Sequence, residues 1–116
     1  MLFANKIRQL REERKLLQRH LAAALEIDTP MFSKIERGDR PAKRTQVIAI
    51  AKILSTDENE LLTLWLADKI IDAVVDEKEL SGKALAVATE TLNNTRNSKY
   101  RIQNTRKWIE TSQYQP

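Results

Sequence analysis

The sequence predicts an all-α protein: a five-helix domain followed by a C-terminal helical extension. Three observations predict it. Apolar residues recur at helical spacing over residues 2–92. Runs of β-branched or aromatic residues are scarce, and only two Gly and three Pro interrupt the chain. The breaks that do occur carry helix-end signals: Asp28 before Thr29-Pro30, Gly38 after a short apolar run, and Ser55-Thr56 before an acidic turn.

In the first helix Leu2, Phe3, Ile7 and Leu10 trace one face, with Arg14 continuing the stripe and Leu16 packing just beyond it. The second begins near Gln18 and turns Leu21, Ala22 and Leu25 inward, then breaks at Glu26-Ile27. Asp28 stands where an N-cap belongs, and Pro30 fits a first turn because the amide it lacks would have no partner there. The third helix, 29–37, buries Phe32 and Ile35. Gly38 ends it, since glycine takes the left-handed conformation at no steric cost. A polar connection, Asp39-Arg40-Pro41-Ala42, leads to a fourth helix carrying Val47, Ile48, Ala51 and Leu54. Ser55 or Thr56 caps the fifth, with Asp57 and Glu58 suited to its positive end. That helix carries Leu61, Leu62, Leu64, Trp65, Leu66, Ile70, Ile71, Val74 and Val75, and its pattern runs to about Glu77. Residues 80–92 form a further helix with Leu80, Ala84, Leu85, Ala88 and Leu92 on one side, and Gly82 weakens its start.

The second and third helices form a constellation of their own. Two short helices crossing steeply need a small residue at the contact, which is Ala22, and apolar inner positions, which are Leu21, Leu25, Ile27, Phe32 and Ile35. The outer face of the third helix is then free to enter a major groove, whose width admits one helix. It carries Thr29, Pro30, Met31, Ser33, Lys34 and Arg37.

Charge is distributed unevenly. The net charge is +4, but residues 1–44 carry +5, residues 45–92 carry −5 and residues 93–116 carry +4. A basic front fits a polyanionic partner. The chain has no cysteine, which excludes disulfides and thiolate metal sites. His20 is the only histidine, so neither a metal centre nor a nucleophilic triad is expected, and no cofactor. No segment has a signal-peptide or membrane-spanning pattern, and a cytoplasmic location is expected.

Residues 3–66 resemble the Xre-type helix-turn-helix domain of phage repressors, Cro proteins and small bacterial regulators. The resembling stretches are Ile7-Arg8-Gln9-Leu10-Arg11-Glu12, Gln18 with Leu21-Ala22, Ser33-Lys34-Ile35-Glu36-Arg37-Gly38, and Ile50-Ala51 with Leu54. Glu26 stands where the turn normally has Gly, and Leu17 where a Ser or Thr usually caps the second helix. The resemblance implies a lambda-repressor-like DNA-binding domain. It implies that Gln18 donates to a backbone phosphate and that Thr29, Pro30, Ser33 and Lys34 approach base edges. Lys34 would donate to guanine, and Pro30 or Met31 would touch a thymine methyl. Arg37, Arg40, Lys43 and Arg44 would clamp phosphates, and Arg11 would pair with Glu36 to brace the first helix against the third. The Ile35-Glu36-Arg37-Gly38 ending and the small size also resemble restriction–modification controller proteins.

The expected division is a helix-turn-helix domain over 1–66, a dimerising helical extension over 67–92 and a basic tail over 93–116, partly flexible or a short helix. Trp65, Leu66, Ile70, Ile71, Val74 and Val75 extend past the point where such a domain is complete, and this surplus reads as a dimer seam. In the tail, Tyr100, Ile102, Trp108 and Ile109 alternate with Arg96, Lys99, Arg101, Arg106 and Lys107. The first functional expectation is a homodimeric transcriptional regulator, a repressor or autoregulator, on an inverted-repeat operator in double-stranded DNA. The second is an antitoxin-type operon repressor whose C-terminal half grips a toxin. An enzyme has no support, since no paired-carboxylate pocket, nucleophile–base pair or phosphate loop is visible.

Overall fold

The structure, a computed structural model, describes residues 1–96. Among them are six helices and no strand: α1 (Leu2–Glu13), α2 (Gln18–Ala24), α3 (Thr29–Glu36), α4 (Arg44–Ile53), α5 (Glu58–Val74) and α6 (Ser81–Arg96). None is long and apolar enough to cross a membrane. The expectations placed on Lys99, Tyr100, Arg101, Ile102, Arg106, Lys107, Trp108 and Ile109 lie outside the described residues, while Arg96 is the last residue of α6. The chain divides into two compact units, the first Met1–Ala73 and the second beginning at Val74. α5 continues through residue 66 without a break.

The core of the first unit is built from the predicted faces. Ile7, Leu21, Phe32, Val47, Ile50, Leu54 and Leu61 are fully buried, drawn from all five helices of the unit and the end of α4. α3 packs on α1 and most closely on α2, where the small Ala22 is buried. Two assignments on α1 change. Leu2 is exposed and Ala4 takes the inner position, so the stripe is Phe3, Ala4, Ile7 and Leu10. Arg14 does not continue it, because the helix has ended and Lys15 turns the chain at φ +56°.

Helix ends follow the sequence with instructive exceptions. Asp28 caps α3, its Oδ1 accepting from the amide of Met31 at 2.7 Å. Gly38 adopts φ +81°, and a Cβ there would lie 2.7 Å from Met1 Cγ. Leu17 has no oxygen to cap α2, but His20 reaches back and its Nδ1 accepts from the Leu17 amide at 2.9 Å. The lone histidine is therefore a capping group, half of the reciprocal arrangement that Glu or Gln usually completes. Ser55 does not cap α5. It closes α4 in the left-handed conformation at φ +51°, and Asp57 accepts from the Asn59 amide at 3.2 Å instead. α5 stops at Val74 rather than Glu77. In the second unit α6 runs past the expected Leu92 to Arg96, and none of its residues is buried.

Trp65 is corrected as a seam residue. It packs half-buried against the core of its own unit, and its indole Nε1 donates to the carbonyl of Ala42 at 2.8 Å. Its phase on α5 follows Leu61 and Leu62 rather than Leu66 and Ile70. Leu66, Ile70, Ile71 and Val75 are exposed, and Val74 is half-buried.

Candidate nucleic-acid interface

The turn between α2 and α3 is set by backbone geometry. Glu26 takes φ +58°, the left-handed conformation that glycine would hold without strain, and the Ile27 amide returns to the Ala22 carbonyl at 3.0 Å. Phe32, Ile35 and Glu36 of α3 are then buried, which fixes the rotation of that helix. Its opposite side carries Thr29, Pro30, Lys34 and Arg37 exposed, with Met31 and Ser33 half-buried. Among the described residues Lys34 is in no ion pair, so its ammonium is free to donate outward.

Behind this face sits the brace. Arg11 Nε and Nη2 donate to the two oxygens of Glu36, each at 2.8 Å, while Nη1 donates to the Leu16 carbonyl at 2.9 Å. Hydrogen bonding to Glu36 raises the pKa of Arg11 further, against the opposing effect of burial, so the guanidinium is locked in its charged form.

Gln18 has a partner within the domain. Its Nε2 donates to Glu36 Oε1 at 3.1 Å, beside the arginine contacts on the same carboxylate. A carboxylate can only accept, so the amide nitrogen must face inward. Gln18 is a third member of the brace, with one amide proton left to offer.

Arg37 is also engaged. Its Nε donates to Asp39 at 3.1 Å and its Nη1 to Ser33 Oγ at 3.3 Å, both exposed contacts that a phosphate can replace at little cost. Arg40, Lys43 and Arg44 are exposed on the loop and the start of α4, on the chain that follows α3. Lys43 precedes the first turn of α4, its amide held by Gln46 Oε1 at 2.8 Å.

Arg8, Arg11, Gln18, Ser33, Glu36 and Arg37 line one cleft of about 210 Å³. Each of its three arginines is paired with a carboxylate, Arg8 with Glu12, Arg11 with Glu36 and Arg37 with Asp39, and the exposed pairs of Arg8 and Arg37 can exchange that partner for an anion such as a phosphate group. Sequence reasoning missed Arg8. Its exposed pairing with Glu12 at 3.0 Å marks an ordinary helix surface, and the available signal was its place one turn before Arg11 on the same face of α1.

The arrangement presents cations and hydrogen-bond donors along α3 and the loop that follows it. Residues 2–64 match the family profile described as a helix-turn-helix domain, a little over half of the chain. No curated protein and no solved structure matched it.

Proposed function

The chain belongs to the helix-turn-helix domain family, a DNA-binding fold, and we propose that it is a sequence-specific transcriptional regulator, a repressor or autoregulator. The observation that carries this reading is α3 itself. Its inner face is locked by Phe32, Ile35 and the braced Glu36, and its outer face offers Lys34 beside Thr29, Pro30, Met31 and Ser33 at the depth of a major groove. Arg37, Arg40, Lys43 and Arg44 supply the phosphate contacts that fix register without reading sequence. Binding is its whole activity in this reading, and its place is the cytoplasm, where its target lies.

The regulator acts as a homodimer. Leu66, Ile70 and Ile71 are about half exposed on α5, neighbouring apolar side chains that a second copy of the chain would cover. A two-fold dimer places its recognition helices about 34 Å apart, so the operator is an inverted repeat with half-sites one helical turn apart. The same apolar residues also support the antitoxin reading, in which a toxin covers them.

Sequencing the duplex fragments retained by the purified protein from a random pool tests the first reading. An inverted repeat at that spacing is expected, and recovery of no enriched sequence would overturn it. Light scattering on Ile71→Asp/Val74→Asp should give monomers where the wild type gives dimers. A wild-type protein that is monomeric at tens of micromolar, yet copurifies with a second protein, would favour the antitoxin.

A further inference from the structure

Residues 39–43 carry Arg40 and Lys43 and lead directly into Arg44, three exposed cations assigned above to phosphate. The two ends of this loop are bonded. The amides of Asp39 and Arg40 donate to the Lys34 carbonyl at 2.9 and 3.3 Å, and the Lys43 amide donates to Gln46. The middle is not held in that way, for Pro41 has no amide to give. Among the described residues one hydrogen bond reaches it, from Trp65 Nε1 to the Ala42 carbonyl at 2.8 Å. Ala42 is buried and Trp65 half-buried, so the bond is partly withdrawn from water.

The donor is itself well fixed. Trp65 packs against the core, and Lys69, one turn further along α5, sets its Nζ 4.4 Å from the ring centroid. Asp68 on the same helix accepts from the Leu2 and Phe3 amides at 2.9 and 3.0 Å, fastening α5 to the start of α1. A rigid element therefore grips the loop at the point where its own backbone provides least.

We propose that Trp65 is a positioning residue for DNA binding: by holding the Ala42 carbonyl it sets the backbone from which Arg40, Lys43 and Arg44 reach the duplex. Long cationic side chains lose rotamer freedom on meeting phosphates, and a mobile backbone beneath them would add to that loss. Trp65 removes the second cost without touching the nucleic acid. The proposal rests on the DNA-binding reading above.

The test titrates full-length wild type and Trp65→Phe with the selected duplex over a salt series, well below either melting temperature. Phenylalanine keeps an aromatic ring in the half-buried site and removes the N–H donor with the pyrrole part of the indole, a packing change that the loop-cation background below controls for. The variant should bind about tenfold more weakly, the effect of one ordinary hydrogen bond. Its salt slope should be shallower by about 0.9 for each phosphate it no longer neutralises. In an Arg40→Ala/Lys43→Ala/Arg44→Ala background the same substitution should cost nothing further. An unchanged affinity, or an equal loss in both backgrounds, overturns the proposal and leaves Trp65 a core residue only. A wild type that fails to bind duplex at all overturns the DNA-binding reading instead. A second measurement does not depend on the variant folding: the Trp65 indole proton, told from that of Trp108 by Trp108→Phe, should exchange slowly with solvent in the free protein. Exchange as fast as in an exposed indole would also sink the proposal.

Discussion

Arg11 and Glu36, 25 residues apart in the chain, meet in a two-pronged ion pair with both contacts at 2.8 Å. Their side chains are 13% and 3% exposed, so the pair is largely withdrawn from water. What it does for the domain is orientation: it ties α1 to the inner face of α3 and leaves the outer face undisturbed.

Arg11→Ala should therefore destabilise the domain by about 3 kcal/mol, because truncating one partner strands a buried carboxylate. Arg14→Ala should change stability by no more than about 0.5 kcal/mol, since Arg14 reaches only Leu10 O at 3.4 Å and Glu13 at 3.9 Å. Urea unfolding of both variants makes the comparison, and equal shifts would rule out the brace. The pair raises the pKa of Arg11 above its ordinary value. Stability from that shift is fully present below the ordinary value and is lost only as pH rises through the raised one, far into alkali. Titrating the arginine should leave stability flat through the neutral range.

Lys34→Ala should relax base preference at one position in each half-site and cost about 1–3 kcal/mol if Lys34 donates to two guanine acceptors. Arg44→Ala should weaken all duplexes alike and reduce the salt slope by about 1. Selection from a random pool with each variant separates the two effects. Retained selectivity and affinity in Lys34→Ala would mean that the recognition face is misassigned.

Asp28→Ala should cost about 1 kcal/mol, since the Met31 amide loses the acceptor that now stands at 2.7 Å. Asp28→Ser should recover most of the loss. Thermal melts of the two variants check the cap, and a serine as damaging as alanine would point to a different role for the carboxylate.

Glycine should act with opposite sign at two positions. Glu26→Gly should stabilise by up to about 1 kcal/mol, because φ +58° strains any residue with a Cβ. Gly38→Ala should destabilise, because φ +81° then carries that strain and the new methyl presses on Met1 Cγ. Two melting curves decide it, and shifts of the same sign would contradict the backbone argument.

The helices and the rotation of α3 were legible in the sequence because they rest on periodicity, which is local. Phe32 and Ile35 three residues apart leave little choice of inner face, and Asp28 with Pro30 fixes where the helix starts. Trp65 and Gln18 were not legible in the same way. Trp65 belongs to a long apolar helix, and only the arrival of Ala42, 23 residues earlier in the chain, shows which side of that helix is already occupied. Gln18 faces inward because Glu36 lies within reach, its Oε1 accepting from Gln18 as well as from Arg11, a fact of tertiary placement that no spacing announces. Leu2 was misplaced for a related reason: near a helix start the choice between Leu2 and Ala4 depends on what packs there, and apolarity alone favoured the larger residue.

Asp68 accepts from two amides at the opening turn of α1, 66 and 65 positions earlier in the chain. During synthesis the residues emerge in order, so α2, the turn and α3 all leave the ribosome before this carboxylate does. Contacts of such long sequence separation close late, once the entropy of the intervening loop has been overcome. The first helix to be made is thus among the last to be finished, and a chain that ends short of Asp68 would carry α1 with the amides of its opening turn still waiting for their acceptor.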